Sequence, residues 1–144
     1  MRYILVLLAT LGIIVSALAL REHYRTEGDS PCSINERWDC GIVNHSPYAV
    51  IRGVPVAFLG IAGYLLMAAL AWRRAYLWLL FAALAALSYS LYLAHIEAHV
   101  LGVWCVYCVI SQTIIALLLL LTLGWFTSEY LALKRPPAVG PITR

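Results

Sequence analysis

Two cysteines, Cys105 and Cys108, lie three positions apart near the start of an uncharged run that extends from residue 100 to residue 126. On a helix, residues at positions i and i+3 share one face, with Cα atoms about 5 Å apart, within the range that a disulfide accepts. The spacing therefore predicts a redox pair that cycles between two thiols and a disulfide. Because each residue adds about 1.5 Å along a helix, Cys105 lies nearer the start of the helix than Cys108 does. Cys105 is therefore predicted to meet an aqueous loop, and Cys108 to face lipid or a pocket in the bundle.

The other two cysteines, Cys32 and Cys40, lie in the segment PCSINERWDCG. Their eight-residue separation would not bring them together on a regular helix or strand, so the loop is predicted to fold back on itself, which the flanking Pro31 and Gly41 permit. A disulfide in such a loop is predicted to be exposed and labile, as is typical of thiol exchange. The two pairs together predict a relay of electrons from the loop to the helix.

Two other interpretations of the cysteines stay open at this point. Cysteines in membrane helices also serve as small packing residues. A zinc site could use the four cysteines, or His95 and His99 at positions i and i+4, although the eight-residue step fits no usual zinc-ligand spacing. We predict instead that His95, Glu97 and His99 form a solvent-exposed turn and that the protein holds no metal.

The composition indicates an integral membrane protein, because 63% of the 144 residues are hydrophobic and the mean hydropathy is +0.86. At a rise of about 1.5 Å per residue, four uncharged runs are each long enough to cross a hydrocarbon core of about 30 Å. They predict an all-α bundle of four transmembrane helices in a single domain, 1–144, with spans at about 3–20, 53–72, 75–94 and 100–126. Small residues in the second span predict close helix packing: Ala57, Gly60 and Gly63.

The first span also resembles a signal peptide, because Ala17 and Ala19 form a small-x-small site after an apolar stretch. Its uninterrupted length favours a retained helix. The net charge of +3 is small and the basic residues form no stripe, so nucleic acid is not an expected partner.

Basic residues predict the orientation of the helices in the membrane. The loop 21–52 mixes its basic residues with acidic ones and is predicted to face outward, whereas the tail 127–144 is predicted to be cytoplasmic. The predicted cytoplasmic side carries Arg2, Arg73, Arg74, Lys134, Arg135 and Arg144. All four cysteines are therefore predicted to lie on or just beneath the outward face.

These motifs resemble the vitamin K epoxide reductase family in its short prokaryotic form, over residues 32–112. The resemblance rests on Cys32-x7-Cys40, on Ser46 six residues later, on GVPVAFLGIAGY and SLYLA in the second and third spans, and on Cys105-x2-Cys108 at the fourth. In the other quinone-coupled disulfide-generating family, which is DsbB-like, the Cys-x2-Cys motif comes in the first outward loop. The order found here therefore favours the vitamin K epoxide reductase family.

The resemblance implies a membrane enzyme that oxidises a thioredoxin-like or DsbA-like partner and reduces a quinone, either menaquinone or ubiquinone. It implies that Cys108 bonds or transfers charge to the quinone, that Cys40 passes electrons to Cys105, and that Cys32 exchanges with the partner. It further implies that the outward loop carries a short half-helix. Ser46 on this half-helix would cap the quinone pocket, and the pocket wall would include Leu93 and Leu101.

Two positions depart from the animal members of the family, which carry an Asn and a Tyr where this chain has Val56 and Gln112. The groups that polarise the substrate oxygen therefore differ, and the departure favours quinone reduction over epoxide reduction, because opening an epoxide needs a proton donor at its oxygen. We expect no fused thioredoxin-like domain, so the electron donor is expected to be a separate soluble protein. The expected location is a prokaryotic inner membrane, with the active site on the periplasmic side.

Overall fold

The computed structural model describes residues 1–25, 32 and 34–134 of the chain. Part of the predicted outward loop, residues 26–31 and 33, lies outside the described residues, as does the end of the predicted tail, residues 135–144. The expectations for Pro31, Arg135 and Arg144 therefore receive no structural account.

The described chain is mostly helical, as predicted. Three segments are long and apolar enough to cross a membrane: the helix α1, the helix α4 with the turn that follows it, and the helix α5. The helix α3 is also apolar but shorter, at 17 residues. Within the described residues the α-helices, in chain order, are α1 (Arg2–His23), α2 (Cys40–His45), α3 (Val56–Trp72), α4 (Tyr76–Ile96) and α5 (Val106–Lys134).

The four long helices pack around an apolar core in which α1 lies against α3 and α5, and α4 lies against α5 and α3. Tyr64 of α3 has the largest fully buried side chain among the described residues, and its ring lies against Gly12 of α1 so closely that any Cβ at Gly12 would overlap it. Gly60 also allows a close approach, because a Cβ at Gly60 would lie 2.9 Å from Ser16 Oγ. Gly63 has no atom within 4 Å of such a Cβ. Close helix approach therefore rests on Gly12 and Gly60.

One end of this bundle is covered by α2 and by a short hairpin. The hairpin pairs β1 (Val50–Ile51) with β2 (Val54–Pro55) in antiparallel register, and a single 3-10 turn precedes it. Its two-residue turn places Arg52 at φ 51° and Gly53 at φ 83°, the positive values that a tight hairpin turn of this kind needs. This cover connects the outward loop to the start of α3.

The segment before α5 differs most from the predicted spans, because the helix begins at Val106 and not near residue 100. A π-helical turn, Glu97–Leu101, follows α4, and Gly102 ends it in the left-handed conformation with φ 68°. Residues 102–105 are not helical, since the backbone of Trp104 is hydrogen-bonded to the outward loop. At its other end, α5 continues to Lys134, beyond the predicted limit at residue 126.

The opposite end of the bundle carries basic and aromatic side chains. Arg2 and Arg74 line one surface cleft there together with Trp125, and the guanidinium of Arg2 lies over the ring of Trp72. Because α1 runs from Arg2 at this end to His23 beside α2, these basic residues lie at the far end of the bundle from the cysteines.

Candidate active site

The loop cysteines Cys32 and Cys40 form a disulfide, with Cα atoms 5.5 Å apart. The chain between them folds back through a turn at Asn35, whose Oδ1 accepts hydrogen bonds from the backbone N–H groups of Arg37 and Trp38 at 2.9 and 3.1 Å. Asparagine favours such turns because its side chain can bond its own local backbone. The turn therefore accounts for a pairing across eight positions.

This disulfide is buried, so the prediction of an exposed loop disulfide was wrong. Cys40 has no exposed surface and Cys32 is 5% exposed, because both pack against Val43 of α2 and Val103 of the segment before α5. Within the described part of the loop, the two cysteines are buried while residues 34–37 are exposed. Of the two sulfur-bearing side chains, that of Cys32 retains the only exposed surface.

Backbone hydrogen bonds join the two cysteine-bearing segments directly. The N–H of Trp104 donates to the carbonyl of Arg37 at 2.8 Å, and the N–H of Asp39 donates to the carbonyl of Trp104 at 3.1 Å. Asp39 precedes Cys40 and Trp104 precedes Cys105, so the pairing brings these two cysteines into one buried cluster. The indole rings of Trp38 and Trp104 lie next to each other, with centroids 6.4 Å apart.

Cys105 is the residue directly before α5 and is a free thiol with no exposed surface. The loop segment around Cys40 covers it, so the Cys105 side chain meets the outward loop and not solvent. Two N–H groups donate to its sulfur: the side chain of Asn44 at 3.7 Å and the backbone of Cys108 at 3.3 Å. N–H donors in this arrangement stabilise negative charge that develops on the sulfur during thiol exchange.

Cys108 is a free thiol one turn into α5, and it lines a cavity of about 420 Å³ inside the bundle. A cavity of this size is typical of small-molecule sites. All five helices contribute to the wall, which is mainly apolar. Every residue that the resemblance singled out for the quinone pocket lies on this wall: Ser46, Val56, Leu93, Leu101 and Gln112.

Two hydroxyl groups on the cavity wall donate hydrogen bonds to backbone carbonyls of the protein. The hydroxyl of Ser46, directly after α2, donates to the carbonyl of Val43 at 2.7 Å. The hydroxyl of Tyr64 donates to the carbonyl of Ser111 at 2.8 Å. The side chain of Gln112 also faces the cavity, and its amide carries two N–H donors.

Sequence reasoning missed two residues of the site, Glu97 and Asn44. Glu97, predicted to lie in an exposed turn, is only 3% exposed, and its Oε2 accepts a hydrogen bond from the Cys105 N–H at 3.0 Å. A single acidic residue within an apolar stretch was the available signal, since such residues are rarely placed in membrane segments without a function. Asn44 lies four residues after Cys40, one helical turn along α2, and donates to the Cys40 carbonyl at 2.8 Å.

The zinc interpretation gains no support from this geometry. Within residues 1–25, 32 and 34–134, no three or more His, Cys, Asp or Glu side chains are grouped so that they could hold a metal ion. His95 and His99 stack with their ring centroids 4.3 Å apart, and Nδ1 of His99 is hydrogen-bonded to the His95 carbonyl. The disulfide also occupies two of the four thiols that a zinc site would need.

Comparison with known proteins supports the family resemblance. No curated protein matches the chain significantly. The model of the vitamin K epoxide reductase family, however, matches residues 3–123, a range that contains all four cysteines, the cavity wall and Glu97. Such a match extends over most of the chain. The chain therefore belongs to the vitamin K epoxide reductase family.

Proposed function

We propose that the protein oxidises the thiols of a soluble thioredoxin-like or DsbA-like partner and reduces a membrane quinone, so that it drives disulfide formation. Family membership implies a membrane oxidoreductase that acts on thiols and quinones. The observation that carries the finer proposal is the hydrogen bond from Asp39 to Trp104, which places Cys40 beside Cys105 while Cys108 lines the cavity.

The electrons enter at the loop pair. A partner thiolate attacks Cys32, the less buried sulfur of the disulfide, and the partner leaves oxidised, with Cys32 and Cys40 reduced. Cys40 then attacks Cys105 in a Cys105–Cys108 disulfide, and Cys32 attacks Cys40 to release Cys105. The result is an oxidised loop pair and two free thiols at Cys105 and Cys108, which is the combination found in this structure.

The cavity is the proposed quinone site. Its apolar wall, with Val56, Leu93 and Leu101, suits the ring and the start of an isoprenoid tail. The amide of Gln112 can donate to a quinone carbonyl, but it cannot release a proton to an epoxide oxygen. Menaquinone and ubiquinone share the carbonyl pair and the flat ring, so either can be the acceptor.

The topology that we propose has four spans, in which the shorter α3 crosses together with the three longer helices. The basic end at Arg2 and Arg74 would face the cytoplasm, in agreement with the positive-inside rule. The cysteines would then face the periplasmic side of a prokaryotic inner membrane. A soluble partner could reach Cys32 from that side, and the quinone could reach the cavity from the bilayer.

Anaerobic mixing of the reduced protein with ubiquinone or menaquinone tests the proposal. We expect one quinol per protein, formed together with a Cys105–Cys108 disulfide that peptide mass spectrometry identifies. Cys108→Ala is expected to abolish quinol formation, because it removes the thiol that faces the cavity. Full activity of the Cys108→Ala protein, or no quinol from the wild type with either quinone, would overturn the proposed function.

A further inference from the structure

Glu97 is a buried carboxyl group that the electron pathway above does not use. It begins the π-helical turn after α4, is 3% exposed and lies on the cavity wall. Among the described residues that line this cavity it is the only carboxylic acid. Removing a carboxylate from water is costly unless its charge is neutralised or bonded, so a carboxyl at this depth needs partners and a reason.

The partners of Glu97 are the two cysteines of the helix pair. Its Oε2 accepts the backbone N–H of Cys105 at 3.0 Å, which fixes the position of the carboxyl group. The same carboxyl group interacts electrostatically with the Cys108 thiol, and both residues line the cavity. A proton acceptor is therefore held against the sulfur that faces the cavity.

We propose that Glu97 is a catalytic acid–base residue: it takes the proton of the Cys108 thiol and delivers it to an oxygen of the quinone. The inference rests on the proposed function. It follows from the hydrogen bond that fixes the Glu97 carboxyl group beside Cys105, from its place on the wall of the cavity that Cys108 also lines, and from its electrostatic interaction with the Cys108 thiol.

Electrons and protons balance when Glu97 transfers the Cys108 proton. Two thiols and one quinone become one disulfide and one quinol, so two electrons leave the sulfurs of Cys105 and Cys108 as the S–S bond forms. The Cys108 proton moves to Glu97 as the sulfur becomes a thiolate, and then to one quinone oxygen. The Cys105 proton leaves to water, and the second quinol proton comes from water.

Proton transfer to Glu97 also limits the charge in a buried site. When Cys108 becomes a thiolate, Glu97 becomes neutral, so the two neighbouring groups never carry negative charge together. The hydroxyl protons of Ser46 and Tyr64 on the same wall are donated to backbone carbonyls. Neither hydroxyl is hydrogen-bonded to Cys108 in the described structure.

Glu97→Gln tests the role, because glutamine keeps an oxygen that can accept the Cys105 N–H but cannot carry a proton. The reduced full chain would be mixed anaerobically with short-chain ubiquinone or menaquinone, whichever the wild type reduces faster, and quinol formation followed in a single turnover. General acid–base catalysis contributes about 10²–10⁴-fold, so we expect a loss of at least about a hundredfold. Glu36→Gln, which removes an exposed carboxylate from the outward loop, should keep the wild-type rate.

The outcomes separate this inference from the proposed function. A wild-type rate in a folded Glu97→Gln protein overturns the role of Glu97 while leaving quinone reduction intact, whereas an inactive wild type overturns the proposed function itself. If the Gln variant does not fold, Glu97→Asp replaces it. Aspartate keeps the proton chemistry but reaches one methylene less far, so slower quinol formation supports the role and an unchanged rate overturns it.

Discussion

Asn44 connects the two redox pairs and offers a sensitive test of electron transfer between them. Its side-chain N–H group donates to the Cys40 carbonyl at 2.8 Å and to the Cys105 sulfur at 3.7 Å. In the proposed sequence Cys105 leaves as a thiolate when Cys32 attacks Cys40, and the Asn44 N–H stabilises that charge. Asn44→Ala removes this donor and is expected to slow the release of Cys105.

The size of the effect follows from the contact. A hydrogen bond to a charged acceptor contributes about 1.5–3 kcal/mol, and the 3.7 Å separation, long for a hydrogen bond, argues for the lower end of that range. Since about 1.4 kcal/mol corresponds to a tenfold change in rate, Asn44→Ala should slow electron transfer about tenfold. The donor that remains, the Cys108 N–H at 3.3 Å, prevents a larger loss.

The assay reduces the loop pair of the oxidised protein with a dithiol partner and stops the reaction by acid at successive times. Alkylation and peptide mass spectrometry then give the rate at which a Cys105–Cys108 disulfide becomes two thiols. Thr122→Val is the matched control, because it also removes a buried side-chain hydrogen bond, that of the Thr122 hydroxyl to the Leu118 carbonyl at 2.7 Å, away from the cysteines. Equal rates for folded Asn44→Ala and Thr122→Val proteins would refute the assigned role of Asn44.

Three further predictions concern the partner site, the packing and the metal. Cys32→Ala should abolish oxidation of a protein partner but spare oxidation of a small dithiol that bypasses the loop; equal loss with both donors would count against the relay order. Gly12→Ala forces a methyl group onto the ring of Tyr64 and should destabilise the fold by about 1–3 kcal/mol in thermal unfolding, whereas Gly63→Ala has room and should not; equal unfolding temperatures would contradict this packing. Quinone reduction should survive dialysis against a chelator, and activity that is lost and then restored by zinc would favour a metal-binding protein.

The membrane class and the family could be predicted from the sequence because both depend on local patterns. Apolar runs indicate spans, and the motif around Cys105 and Cys108 indicates the family, which the match over residues 3–123 confirms. These signals lie within single segments of the chain and need no knowledge of how distant segments meet.

Burial at the site could not be predicted in the same way, because it depends on contacts between distant segments. The loop disulfide is buried because the backbone near Cys40 pairs with that of Trp104, more than sixty positions away in the chain. The same pairing keeps residues 102–105 out of a helix and so delays the start of α5. Glu97 is likewise buried, and its carboxyl group accepts the N–H of Cys105, eight positions away in the chain. Its neighbours in the sequence do not reveal this contact.

The contact between the two redox pairs can be measured directly in a variant that keeps one cysteine of each pair, Cys40 and Cys105, and lacks Cys32 and Cys108. In Cys32→Ala/Cys108→Ala the remaining thiols, Cys40 and Cys105, are both buried in one cluster and flank the hydrogen bond from Asp39 to Trp104. Mild oxidation should link them in a disulfide within one chain, which peptide mass spectrometry would identify. If both stay free thiols while the protein remains folded, electrons cannot pass from Cys40 to Cys105, and the relay is contradicted.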